Sequence, residues 1–553
     1  IVTNLLSMMN LILFPVVLGL WVLAAILTGV WATRNLRRNK PGILSFGALP
    51  WFSWVLIAVM AVIALAVAVV ALVAPPNNWD SMVYHMRRVM HWIQNGNVGF
   101  IPTHILRQNH QNPGSETIIL HLQLLAEGDR FVNMVQWMSM VGCVLGASLL
   151  ARLLGARVRG QVFAAVMSLT LPMGILQTTS TESDFVVAFW LVSFAAFVVT
   201  MTVRRQIRPL WAVSACCALG LAMLTMATTY IIALPFLVWL VVELLRVHRL
   251  TGLKWLLAIG CLAFVLNVFH YGRNYELYGH PLGPRKESEA FVYSNTVMSP
   301  ALFASNVARN IGLHVGRPHP GKYAVAKAWN AFFEKTILGF HTLIGVDPGN
   351  PDTSWAGTTF HVQPPIFNDE IDGNPVHLLL ILLALALLPI FRSTRRQGLL
   401  WIYVSAVVTG FLIFCYYLRW QPWHSRLHIA MFVLSAPFVG LIFSRLFNFR
   451  VMNAIAALLL LLAIPWVIGN SQRSLTGPAT IFSKSRLDQY FSAPLGIRDP
   501  YFAVAGALKK YDCHRIGIYS DIECWEYPFW MVLRDKLGKD FVLHHVNLDN
   551  VSK

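Results

Sequence analysis

Charged side chains are scarce. Only 12% of the 553 residues are Asp, Glu, Lys or Arg, about half the share of roughly 25% that a soluble chain carries. With 56% hydrophobic residues and a mean hydropathy of +0.58, the composition excludes an ordinary soluble enzyme. Cysteine is also sparse, at seven residues. Five of them (Cys143, Cys216, Cys217, Cys261 and Cys415) fall inside apolar runs, where thiols behave as small apolar groups. No CxxC or His/Cys spacing of the kind that holds zinc is present. Internal repeats are missing, which argues against a transporter built from inverted halves. Low-complexity tracts are missing too.

Long apolar runs are abundant. About twelve are read as spans, most of them near the roughly 17–25 residues that a helix needs to cross a bilayer core. They lie near 5–31, 51–73, 131–153, 161–177, 185–203, 210–229, 231–245, 255–270, 376–391, 399–418, 427–447 and 451–468. The junction at Thr228-Thr229-Tyr230 joins two of them with almost nothing between. The predicted class is a polytopic α-helical membrane protein. The first run is too long and too internal for a cleaved signal peptide, and the start at Ile1 rather than Met leaves room for a preceding piece.

Basic residues set the orientation. Arg34, Arg37, Arg38 and Lys40 share a side with Arg152, Arg157 and Arg159, with Arg204, Arg205 and Arg208, and with Arg246 and Arg249. Arg392, Arg395, Arg396, Arg445 and Arg450 continue the pattern. Short basic loops stay cytoplasmic, so the net charge of +18 needs no nucleic acid to explain it. The outer face then receives residues 74–130, residues 271–375 and the tail after 469. Within that tail, "HRIGIYS" and "FVLHHVNL" read as strands flanking the helix "WEYPFWMVLRDKLG", a small α/β unit. The division expected is 1–50 as an extra first span with a basic loop, 51–469 as the membrane domain and 470–553 as the tail domain. Cys513 and Cys524 both fall in the tail; an oxidising outer compartment permits a disulfide, and the two are expected to pair.

Four stretches carry the chemistry. "NNWDSMVYHMRRVMHWIQ" follows the second span, with Val83, Met86, Val89, Met90 and Ile93 at helical spacing and Tyr84, His85, Arg87, Arg88 and His91 opposite. Such a helix lies in the membrane interface, and "SETIILHLQLLAEGD" from Ser115 reads as a second. Asp80 heads the first as a candidate base, with N-capping as the plainer reading. "QTTSTESDFVVAFW" places Glu182 and Asp184 in a short outer loop. "HYGRNYELYGHPLGP" contributes Arg273. "YLRWQPWHSRLHIAMF" crowds Arg419, His424, Arg426 and His428 at outer span ends, against the inner-side trend for arginine. Guanidinium grips phosphate through directed bonds, so a lipid phosphate is one reason for them; snorkelling is the plainer one.

Together these stretches resemble the GT-C superfamily of integral-membrane glycosyltransferases, in particular a bacterial subgroup of its PMT/ArnT-like branch. The resemblance covers roughly residues 51–469. It implies an inner-membrane enzyme that moves a hexosyl or pentosyl group, with inversion, from a polyprenyl-phosphate donor to a glycan, lipid or protein hydroxyl on the periplasmic face. It carries the first-loop catalytic acid to Asp80 and the second-loop acid to Asp184. It places Arg273, Arg419, Arg426, His424, Tyr84, His85 and Glu182 around donor phosphate and substrate. Many relatives have two adjacent acids in the first loop, whereas Ser81 follows Asp80 here; this argues against a divalent metal, which wants several oxygen ligands. No other cofactor is expected. A non-catalytic subunit on the same scaffold, or a flippase for a lipid-linked sugar, are the rival readings.

Overall fold

The computed structural model describes residues 1–38, 49–284, 292–316, 324–493 and 496–553. Part of the basic loop around Lys40 lies outside the described residues. The chain is a multi-pass, mostly helical membrane protein. Among the described residues, nine helices are long and apolar enough to cross a membrane, and Val158–Leu169, Pro209–Thr225 and Pro375–Ile390 are shorter apolar helices. Each of the twelve apolar runs falls on one of these.

Helix Ile429–Leu446 is almost wholly buried at the centre of the bundle, whereas Phe14–Arg34 is almost wholly exposed at its edge. Small residues set the closest crossing. A Cβ added to Gly160 would come within 3 Å of the Gly440 carbonyl, so two backbones meet directly, the packing that membrane helices favour in the absence of a hydrophobic drive. Prolines set the breaks. The run 161–177 divides into Val158–Leu169 and Pro172–Gln177, because Pro172 cannot donate to the preceding turn and pushes Leu171 into an extended conformation. The short junction near Thr229 is real: the Thr229 hydroxyl bonds back to the Ala222 carbonyl at 2.9 Å and closes it.

Arginine-rich loops gather at one end of the bundle. There Arg445 donates to the Ser393 carbonyl at 2.8 Å, and Arg159 lies over the Phe449 ring. The acidic stretches gather at the other end, beneath the tail. The tail forms a β–α–β unit, Arg515–Ile518 and Val542–His545 pairing in parallel around helix Glu526–Leu537.

One expectation gains a partner and one is corrected. The helix after Asp80 is covered by the tail. It begins with a π turn, in which the Met86 N–H reaches back to the Ser81 carbonyl, and continues as Met86–Asn95. Both of its faces are covered: Val83 and Met90 share one apolar core with Tyr527, Trp530, Leu533 and Leu543 of the tail. Its cationic face is roofed as well, Arg87 pairing with Glu526 and His91 Nε2 lying 2.8 Å from the same carboxylate. His545 joins them at 3.0 Å, so His91, His545 and Glu526 converge as metal ligands do, but with Arg87 already supplying the positive charge. Local periodicity saw an amphipathic helix; it could not see a partner more than 400 residues away. Second, Cys513 and Cys524 are both free. Cys524 rests 3.8 Å from the Tyr501 hydroxyl, whereas Cys513 turns toward the Tyr511 carbonyl.

Candidate active site

Asp80 does not cap its helix: its side chain makes no capping bond. That role falls to Asn78, whose Oδ1 accepts from the Ser81 N–H at 3.2 Å. Asp80 is thereby left for Arg426, and Nη2 of Arg426 donates to its Oδ2 at 2.6 Å. The other guanidinium nitrogen, Nη1, lies 2.9 Å from Glu182 Oε1 and 3.2 Å from Glu370 Oε2. One arginine therefore holds three acids drawn from the first loop, the short loop before helix Asp184–Arg204 and the large loop before helix Pro375–Ile390.

A buried brace fixes the three loops. Arg473 pairs with Asp369, donates to Asn77 Oδ1 at 2.7 Å and to Thr179 Oγ1 at 2.9 Å. It thus ties the residues flanking Asp80, Glu182 and Glu370 to the start of the tail. Breaking a buried pair of this kind leaves an uncompensated charge, so the brace holds the acids in register.

The acids are tuned apart. Burial alone would raise the Asp80 carboxyl, but Arg426, then Arg107 and His85, outweigh it and hold Asp80 below the usual carboxylate value. Glu370 goes the other way: burial raises it, Asp80 and Glu182 add to that, and Arg426 does not compensate, so it stays well above its ordinary value. His85 sits between Glu116 at 2.9 Å and Glu182 at 3.6 Å. Burial opposes its charge, yet these two acids raise it to about 9. Such divergence between neighbouring groups is how one site keeps a base and a proton carrier at the same pH.

Of the residues singled out in the sequence, Asp80, Glu182, Arg426, His85 and Tyr84 come together; the Tyr84 ring packs 4.1 Å from that of His85. Asp184 is buried beside them at the first turn of its helix, with no hydrogen-bond partner for either oxygen among the described residues. Glu182, not Asp184, pairs with Arg426. Arg273 and Arg419 lie elsewhere. Arg273 donates to Asn4 Oδ1 at 2.7 Å and lines a small cavity with Arg88, His270 and Gln108. Among the described residues, the Arg419 guanidinium reaches Thr296 Oγ1 at 3.5 Å. His424 turns to Asn310 Oδ1 at 2.9 Å. Glu370 was missed; the signal was "NDEID", a clustering of acids immediately before a span in a chain poor in acids.

Asp80, Glu182 and Glu370 each bring an oxygen within 4.8 Å of the others, the all-oxygen set that hard cations take. Arg426 lies among those oxygens, hydrogen-bonded to Asp80 and ion-paired with Glu182 and Glu370. As arranged, the acids fit a guanidinium rather than an added ion.

Comparison with known proteins gives no matching family model and no matching curated protein. Among solved structures, the chain is similar to ArnT from Cupriavidus metallidurans bound to undecaprenyl phosphate, with a TM-score of 0.47 and 15% identity over 90% of this chain and 87% of that one. It is also similar to the oligosaccharyltransferase AglB from Archaeoglobus fulgidus in complex with an inhibitory peptide and a dolichol-phosphate, with a TM-score of 0.48 and 14% identity over 90% of this chain and 65% of that one.

Proposed function

We propose that the chain is a glycosyltransferase that moves a sugar from a polyprenyl-phosphate donor to a hydroxyl acceptor on the outer face of a bacterial inner membrane. The observation that carries this reading is the Asp80 carboxylate, hydrogen-bonded by Arg426 within a cluster that also gathers Glu182 and Glu370. A hydroxyl is a weak nucleophile, and a positioned carboxylate must take its proton. In the proposed step the acceptor oxygen attacks C1 of the sugar from the side opposite the phosphate while Asp80 removes the hydroxyl proton. The C1–O bond to phosphate breaks, its electron pair leaves with the polyprenyl phosphate, and the anomeric centre inverts.

The lipid has a place to lie. A groove of about 430 Å³, lined by apolar side chains including Phe303, Val307, Ile311, Phe340 and Leu412, opens between helices Pro300–Gly312, Ala324–Ile344 and Gly398–Tyr417. Asn310, one turn beyond Val307 on the same helix, is bonded to His424 two residues before Arg426, so this helix links the groove region to the Arg426 segment. Arg426, already committed to three acids, orients the base instead of binding phosphate.

The test is release of polyprenyl phosphate from a panel of undecaprenyl-phosphate monosaccharides by the purified full chain, supplied with hydroxyl-bearing bacterial surface oligosaccharides as acceptors and followed by mass spectrometry. Release from at least one donor, lost in Asp80→Asn, is expected. No release from any donor would overturn the assignment.

A further inference from the structure

The tail reaches the acid centre as well as roofing the helix beside it. Glu523, in the loop between the two strands, accepts from the Trp79 indole N–H at 2.8 Å through Oε2 and from Arg107 Nη2 at 2.6 Å through Oε1. Trp79 is the residue before Asp80 and remains 38% exposed. The Arg107 guanidinium lies 5.4 Å above the Tyr84 ring and close enough to Asp80 to lower its carboxyl. Trp525 meets Trp79 edge to face with centroids 5.6 Å apart. The Trp525 side chain is buried, yet its indole nitrogen has no hydrogen-bond partner among the described residues.

A tryptophan beside a membrane protein's surface is often only an interfacial anchor. Trp79 is not placed as one, since its N–H is tied to a carboxylate of the tail and its ring stands against a second tryptophan. The half-open Trp79 ring beside the Glu523–Arg107 pair suits a ligand with apolar C–H faces and adjacent hydroxyls at its edge. The buried Trp525 indole behind it keeps an unpaired N–H, and such a donor costs about 1–3 kcal/mol. A pyranose chain has both properties. Trp79 directly precedes Asp80 in the chain, so an acceptor held on its ring would lie near the base.

The geometry points to Glu523, Arg107 and Trp79 as the clamp that selects the acceptor, a hydroxyl-rich oligosaccharide. This rests on the transferase reading above and deepens it, since it fixes the acceptor class and assigns its recognition to the tail. Glu523 and Trp79 contact the acceptor and set specificity, while Asp80 does the proton transfer.

The full chain in detergent is applied to an array of bacterial surface oligosaccharides and, separately, titrated with undecaprenyl phosphate. Wild type should bind a subset of the oligosaccharides, and Trp79→Ala and Glu523→Gln should weaken that binding about tenfold or more. Should Trp79→Ala melt early, Glu523→Gln decides, since it keeps the shape and loses only the charge. Equal binding by wild type and Glu523→Gln, or binding of no oligosaccharide by a wild type that still takes up undecaprenyl phosphate, would overturn the clamp alone. Failure to take up undecaprenyl phosphate would overturn the transferase reading itself.

Discussion

Replacing Asp80 with asparagine separates catalysis from support, because the structure predicts very different magnitudes for the two. The asparagine keeps an oxygen where Oδ2 accepts from Arg426 at 2.6 Å and gives up only the charge. Arg426 retains Glu182 and Glu370, and the helix keeps its cap on Asn78. A hydrogen bond to a charged group contributes about 1.5–3 kcal/mol, and a neutral acceptor preserves part of that, so the loss should be about 1 kcal/mol. In a chain of this size that is a Tm change of at most about 3 °C. Turnover should respond far more, since a lost general base costs roughly 10²–10⁴ in rate, or about 3–5 kcal/mol of transition-state stabilisation. The donor KM should stay near that of wild type, because Asp80 acts on the acceptor. Steady-state release of polyprenyl phosphate and a melt of the same preparation supply both numbers. Turnover within threefold of wild type would refute Asp80 as the base, and Asp184 would become the leading candidate. A Tm loss above about 10 °C would show that Asp80 holds the fold.

Arg426→Ala strands three acids at once and should cost about 3–5 kcal/mol, read as a large Tm loss; a variant within about 1 kcal/mol of wild type would show that Arg426 does not hold them. Glu370 keeps its proton in the folded chain and loses it in the unfolded chain above its ordinary value of 4.5, so its contribution to stability falls as pH rises from there through its raised folded value, by up to about 1.4 kcal/mol per pH unit. Glu370→Gln should therefore gain Tm relative to wild type between pH 5 and pH 8, and parallel Tm curves for the two would contradict a stored proton. A cysteine placed at Arg157 should resist an impermeant maleimide in intact spheroplasts while one at Asn97 reacts; the reverse pattern would invert the bundle and move the acids to the cytoplasm.

Composition and apolar periodicity were enough to identify the multi-pass helical class and the β–α–β tail, because each depends on residues within one helix or strand length. Asp80 stood out for a related reason: an acid immediately after a span in a charge-poor chain is costly without a partner. The partners were not legible. Asp80 and Arg426 are 346 residues apart, and His91 and Glu526 are 435 apart, so no local pattern links them. Amphipathicity at 82–93 correctly signalled two unlike faces, yet it cannot say whether water or a folded tail covers the charged one. The choice of Glu182 over Asp184, the recruitment of Glu370 and the assignment of Arg426 to acids rather than phosphate were decided by the Arg473 brace, which brings four distant segments to one point. Chain-local physics chose the helices; only their packing chose which charges meet.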